Sequence, residues 1–168
     1  VLPLSDVRLV DATNTEVAAG QPGEICVRGP QVMVGYWNNP GATDAAIDDD
    51  GWFHTGDVGR EDDDGYVYVV DRVKDMVISG GENVYPAEVE SVLYSHPAVA
   101  EVAIVGLPDA KWGEAVTAVI ATAPGETVTL EELREFAADR LARYKLPLRL
   151  EFVDALPRNP SGKVLKFQ

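Results

Sequence analysis

Residues 51 to 90 read "GWFHTGDVGREDDDGYVYVVDRVKDMVISGGENVYPAEVE", and a change of periodicity inside this stretch decides the fold. In "GYVYVVD" apolar and polar positions alternate with the two-residue period of a strand. The acidic "EDDDG" before it reads as an Asp-Gly turn closing a hairpin, with its charges at a solvated tip. After "DRVKD" the pattern changes. "PAEVESVLY" puts Pro86 in a first turn, acidic residues near the N-terminus, and Val89, Val92 and Leu93 on one face. Those are the marks of a short helix. A strand carrying Arg72 and Lys74 is expected to run into Ser79-Gly80-Gly81 and on into that helix. The two glycines would let a ligand approach the backbone closely and meet free amides.

Working outward, the N-terminal side keeps the strand period in "DVRLVD", "GEICVRG" and "VMVGYW", and helical periodicity is nearly absent. On the C-terminal side "AVAEVAIVG" and "EAVTAVIAT" read as buried strands. "TLEELREFAADRLARY" opens with a capping box at Thr129 and Glu132 and is expected to bury Leu130, Leu133, Phe136, Ala137 and Leu141. This order predicts an α+β chain: a β-rich segment over 1–71, then a small α+β domain over 72–168, with the boundary at Asp71 to Lys74.

Composition bounds the function. With 168 residues, 46% of them hydrophobic, the chain can bury a core. A formal net charge of -14 argues against a nucleic-acid or anionic-membrane surface, so an anionic ligand needs a few placed cations and backbone amides. The single cysteine, Cys26, excludes an internal disulfide and sits in an apolar alternation as a small buried hydrophobe. No apolar run reaches about 18 residues, which makes a soluble, cytoplasmic protein the expectation. The opening "VLPLSDVRLVD" reads like the middle of a domain, so the chain is expected to be a piece of a longer protein. His54 and His96 have no second histidine or cysteine beside them in sequence, and no transition-metal site is expected.

Three separated stretches carry chemistry. Asp57, at a strand end in the glycine-containing turn of "GWFHTGD", has a carboxylate suited to a vicinal diol such as a ribose, or simply to capping its own turn. Arg72 and Lys74 are either ligand contacts or a solvated strand edge. Lys163, in "NPSGK", follows a flexible, helix-breaking run near the chain's end, where a lysine is ordinarily a solvated charge.

Taken together, "GEICVRGPQVMVGYWNNPGAT", the 51–90 stretch, "VGLPDAKWGEAVTAVI", "RYKLP" and "PRNPSGK" resemble the closing part of the adenylate-forming superfamily, and the resemblance covers essentially the whole chain. "SGGENVYPAEVE" is similar to the acyl-CoA synthetase branch, particularly enzymes acting on fatty acids. The resemblance implies a barrel-like β subdomain of a larger N-terminal domain, followed by the complete mobile C-terminal domain. It implies that Asp57 holds the ribose hydroxyls of ATP, Arg72 supports the same nucleotide and Lys163 is the catalytic lysine. Lys74 would be the hinge, and Ser79, Gly80, Gly81 and Glu82 would line the channel for the pantetheine of coenzyme A. Trp112, Gly113 and Glu114 match the family pattern as packing and shape residues. ATP, Mg²⁺ and coenzyme A are the implied cofactor and co-substrates, with Mg²⁺ held mainly by an N-terminal part that is absent here. The phosphate loop, the adenine segment and the acyl pocket also have no counterpart in the chain. The fragment is therefore expected to be inactive alone and to depend on the rest of the N-terminal domain. An aryl or short-chain acid ligase, or a non-catalytic module on the same fold, remains an alternative.

Overall fold

The computed structural model describes residues 4–166. They form two compact units, Val1–Lys74 and Asp75–Gln168.

In the first unit, β1 (Asp6–Val10), β2 (Gly23–Arg28), β3 (Phe53–Glu61) and β4 (Val67–Arg72) make one antiparallel sheet in the order β1-β2-β3-β4. The sheet is open: among the described residues no ladder joins β4 back to β1. Leu9, Val10, Cys26 and Val58 are buried on it; Leu9 and Val10 are consecutive and point to opposite faces of β1, so burial there exceeds a simple one-face alternation. The expected β3–β4 hairpin is present. Asp62 Oδ1 accepts from the N–H groups of Asp64 (3.0 Å) and Tyr66 (2.9 Å), so one short carboxylate organises the acidic tip.

Two expectations fail in this unit. Residues 32–37 form no strand, and Val34 and Trp37 stand fully exposed. The Tyr36 N–H goes instead to Thr43 Oγ1 at 2.9 Å, on a helix that periodicity did not signal, α1 (Pro40–Ala46). Its signal is local: Asn39 accepts from Ala42 N with its side chain, and Pro40 occupies the first turn.

A 3₁₀ turn over Val73–Asp75 holds Lys74. The second unit then runs β5 (Val77–Ser79), β6 (Glu82–Val84), α2 (Pro86–Leu93), β7 (Val99–Asp109), β8 (Gly113–Thr122), α3 (Leu130–Ala137) and β9 (Arg149–Phe152). Its sheet has the order β6-β5-β8-β7, with β9 joining β8 in parallel. Val89 and Leu93 of α2 and Leu133 and Ala137 of α3 pack on Ile104, Val116, Ala118 and Ile120, all fully buried. Each large side chain removed from water there contributes about 1.5–3 kcal/mol.

The capping box forms as expected, with Thr129 Oγ1 accepting from Glu132 N and the Glu132 carboxylate accepting from Thr129 N. The helix behind it is shorter than the pattern implied and ends at Ala137. Pro147 pushes Leu146 into an extended conformation, and Leu141 reaches the core from a turn. Leu130 and Phe136 are only half-buried.

The larger correction concerns the glycines. Arg72 ends β4, Lys74 lies in the 3₁₀ turn, and Gly80-Gly81 close a β5–β6 hairpin rather than opening a helix. Both have positive φ, 61° and 85°, the conformation a two-residue hairpin turn demands and glycine supplies without strain.

Candidate active-site elements in the two units

On the first unit, Asp57 and Arg72 face each other across β3 and β4, and Arg72 Nε donates to Asp57 Oδ1 at 2.8 Å. Asp57 lies inside β3 and not at a strand end in a turn, as its sequence context suggests; the β2–β3 register is irregular beside it, between Glu24 and Cys26. Gly56 takes a positive φ of 73°, and its N–H donates to Glu24 Oε1 at 3.0 Å. Thr55 Oγ1 accepts from Asp57 N while donating to Ile25 O. Asp57 is one-third exposed, with one carboxylate oxygen aligned by a guanidinium. Such a group accepts hydrogen bonds from a neutral polar ligand in a fixed direction.

On the same two strands the structure overturns the premise that no cysteine lies near His54. Cys26 Sγ is 3.4 Å from His54 Nδ1, which in turn is 2.9 Å from Glu24 Oε2. These three could hold a metal ion by proximity. In the structure the three are linked at hydrogen-bond distances. Burial, and then the Glu24 charge, push the Cys26 thiol up to about 11. Arg8 stands opposite Cys26 in the β1–β2 register, with its guanidinium on Asp48.

On the second unit, the Ser79 to Glu82 residues form one exposed turn, apart from Ser79, which is 4% exposed. Gly80 packs so tightly on Trp112 that a Cβ there would lie 2.9 Å from the indole. Its N–H donates to Trp112 O at 2.8 Å. Beside the turn a cavity of about 320 Å³ is lined by Ser79, Trp112, Arg134, Arg143, Tyr144 and Leu148. Arg134 was not legible as a cavity residue, because its guanidinium is brought there by its bond to Pro147 O, a long-range contact.

Lys163 sits in a built loop, not a frayed tail. Asn159 Oδ1 accepts from Ser161 N (3.0 Å), Ser161 Oγ (2.7 Å) and Lys163 N (2.9 Å), and Gly162 has φ 84°. Arg158 donates to Gly162 O and to Glu101 Oε1 on β7, and Glu101 Oε2 accepts from Leu156 N. The loop is thereby clamped to the sheet. The Lys163 side chain is exposed, and among the described residues it has no hydrogen-bond or ion-pair partner. Lys145 is paired with Glu88, Lys166 with Glu90, and Lys111 lies over Trp112.

The clamp is pH-dependent. The Leu156 N–H, followed by Arg158, holds the Glu101 carboxyl below its usual range. A depressed folded-state value contributes stability that is complete above the unfolded value and lost as pH falls through the folded one. Acidification below about pH 4 is thus expected to loosen residues 156–163, seen as faster amide exchange at Leu156 and Lys163. Glu101→Gln should show that looseness already at neutral pH.

The chain is similar to known proteins over most of its length. Residues 1–37 match the model of the AMP-binding enzyme family, and residues 88–163 match the AMP-binding enzyme C-terminal domain. The chain is 52% identical over 162 residues to a feruloyl-CoA synthase of Amycolatopsis, covering 96% of this chain and 33% of that protein. It is 54% identical over 144 residues to a long-chain-fatty-acid–CoA ligase of Mycobacterium tuberculosis, covering 86% and 28%. The structure of an o-succinylbenzoate CoA synthetase from Bacillus subtilis, solved with its acyl-adenylate, superposes with a TM-score of 0.87 at 43% identity, covering 99% of this chain and 34% of that one. The chain spans about a third of the length of these relatives, which are acyl- and aryl-CoA ligases. Among the described residues no helix is long and apolar enough to cross a membrane. By these matches and its α+β fold, the chain belongs to the AMP-binding enzyme family and carries that family's C-terminal domain.

Proposed function

We propose that this chain is the C-terminal part of an AMP-forming acid–thiol ligase, which joins a carboxylic acid to coenzyme A through an acyl-adenylate. The observation that carries the reading is the Lys163 ammonium, which has no partner among the described residues and stands on a clamped loop. In the first step a carboxylate oxygen attacks the α-phosphorus of ATP and pyrophosphate leaves. Two anions must meet, and charge grows on the phosphoryl oxygens in transit. A lysine with no counter-ion of its own can offset that charge, whereas one already paired, like Lys145 or Lys166, has it neutralised. Asp57, oriented by Arg72, accepts hydrogen bonds from the ribose hydroxyls.

In the second step the thiol attacks the acyl carbonyl and AMP leaves. The Ser79 to Glu82 turn lines the path of the pantetheine arm, because Gly80 and Gly81 offer bare backbone at its surface. Arg134 and Arg143 place cations in the adjoining cavity, suited to the anionic end of coenzyme A. Both loops belong to one unit, and Lys74 is the hinge about which that unit turns between the steps. Mg²⁺ enters with ATP, and the larger part of the ligase holds it, since the acidic groups behind the diol site are engaged: Asp57 by Arg72, and Glu24 by Gly56 and His54.

A fatty acid is one candidate substrate and an aromatic acid another. The relatives named above act on long-chain fatty, ferulic and o-succinylbenzoic acids at similar identity, so this portion does not carry the choice of acid. The protein is proposed to act in the cytoplasm. The test is carboxylate-dependent exchange of pyrophosphate into ATP across a panel of fatty and aryl acids. Full-length protein should exchange with at least one acid, and the 168-residue chain alone should not. Silence from the full-length protein across the panel, or robust exchange by the chain alone, would overturn the reading.

A further inference from the structure

The β5–β6 hairpin is held to the rest of its sheet by remarkably little ladder, a single Cα pair between β5 and β8, Ser79↔Gly113. Beyond it, Gly80 N donates to Trp112 O at 2.8 Å. Extending the register by one residue in the other direction sets Ile78 opposite Glu114. There the Ile78 N–H donates to the Glu114 side chain, Oε2, at 2.7 Å. A carboxylate thus ties the hairpin to β8 where the ladder gives out, and a hydrogen bond to a charged acceptor is the stronger kind.

The neighbouring strand is built around this carboxylate. Gly106 of β7 is one of the rare glycines inside a long strand, in the long β7–β8 ladder. A Cβ at that position would lie 2.9 Å from both Cδ and Oε1 of Glu114 and 3.1 Å from Oε2. The bare backbone of Gly106 is what leaves room for the Glu114 side chain. Glycine at 106 and glutamate at 114 form one device with Ile78 as its target.

We infer that Glu114 is a positioning residue for the thiol-transfer step: it fixes the Gly80-Gly81 turn at the height and tilt from which the turn can line the thiol's path. This rests on the ligase reading above. Glu114 touches no reactant, and its effect passes entirely through the hairpin. Adenylate formation, which uses Lys163 on a separate loop clamped by Glu101, does not depend on it. A misplaced hairpin should therefore separate the two half-reactions, slowing the second and sparing the first.

The test uses the full-length ligase with Glu114→Ala, Glu114→Gln and Gly106→Ala. Glutamine keeps an acceptor oxygen and is expected to stay near wild type. Alanine at 114 removes the acceptor, and alanine at 106 displaces it through the flexible end of a side chain, with little cost to the fold. Both alanine variants should lose about tenfold in kcat/KM for coenzyme A, the scale of one charged hydrogen bond, with pyrophosphate exchange unchanged. Faster amide exchange across residues 77–84 in both would confirm that the hairpin has been released. Equal loss in both half-reactions, or Glu114→Gln failing as badly as Glu114→Ala, would overturn the positioning role while leaving the ligase reading intact. Absence of pyrophosphate exchange in the wild type would overturn that reading and this inference with it.

Discussion

Replacing Lys163 by alanine in the full-length ligase is expected to lower the rate of acyl-adenylate formation by roughly 10²–10³, the penalty for removing one preorganised charge from a developing oxyanion. The loss should fall on kcat and leave KM for ATP nearly unchanged, because the interaction strengthens as charge moves onto the phosphoryl oxygens. Arginine at this position should recover little: a rigid, planar fork does not reproduce a compact ammonium on a flexible stem. The fold should not suffer, since Lys163 is exposed and its loop is organised through backbone groups and Asn159. Pyrophosphate exchange and single-turnover adenylation check this, with thioester formation from supplied acyl-adenylate as the control. That second step should survive, because the lysine is not used in it. A variant adenylating at the wild-type rate would remove the central element of the proposed mechanism.

Replacing Asp57 by alanine is expected to act differently. The ribose hydroxyls are held alike in substrate and transition state, so this is uniform binding, and its loss appears in KM for ATP more than in kcat. Two hydrogen bonds to a charged acceptor set the scale, about a hundredfold or more in kcat/KM for ATP. Part of the cost arises from Arg72, which loses the carboxylate it donates to at 2.8 Å. Asparagine, which keeps one acceptor oxygen, should fall between the two. A 2′-deoxy analogue of ATP should discriminate less between wild type and Asp57→Ala, since one of the carboxylate's two partners is then absent from the ligand. If instead the variant lost kcat with KM intact, Asp57 would have to be moved from nucleotide binding to the chemical step.

In the proposed mechanism both residues act on parts of the reaction that every acyl or aryl substrate shares, the phosphoryl group and the ribose. None of the proposed roles involves the acyl chain. Relatives with such different acids as ferulate and long-chain fatty acids are accordingly 52% and 54% identical to the chain. The narrower expectation of a fatty acid, drawn from "SGGENVYPAEVE", leaned on a segment that forms the glycine hairpin and the start of α2, elements whose proposed role lies in the thiol step.

What the sequence determined by itself was whatever short-range physics writes into neighbouring residues. The period-two runs "DVRLVD", "GEICVRG" and "GYVYVVD" became β1, β2 and β4, the capping box at Thr129 started α3, and Asp62 closed its hairpin. The motif order, from "TGD" to "NPSGK", also suffices to place the chain in its family. Where local grammar was ambiguous it misled: the apolar alternation at 32–37 had no strand to pair with, and Gly80-Gly81 fitted a helix entry as well as the hairpin turn they form. Only the tertiary structure decided which charges are paired. Glu114 meets Ile78 across 36 residues and Arg158 meets Glu101 across 57, and Cys26, His54 and Glu24 converge from two strands. Long-range pairing of this kind depends on strand register, which a one-residue slip would undo. It is this pairing that satisfies Lys145 and Lys166, while Lys163 stays exposed with no partner for its ammonium among the described residues.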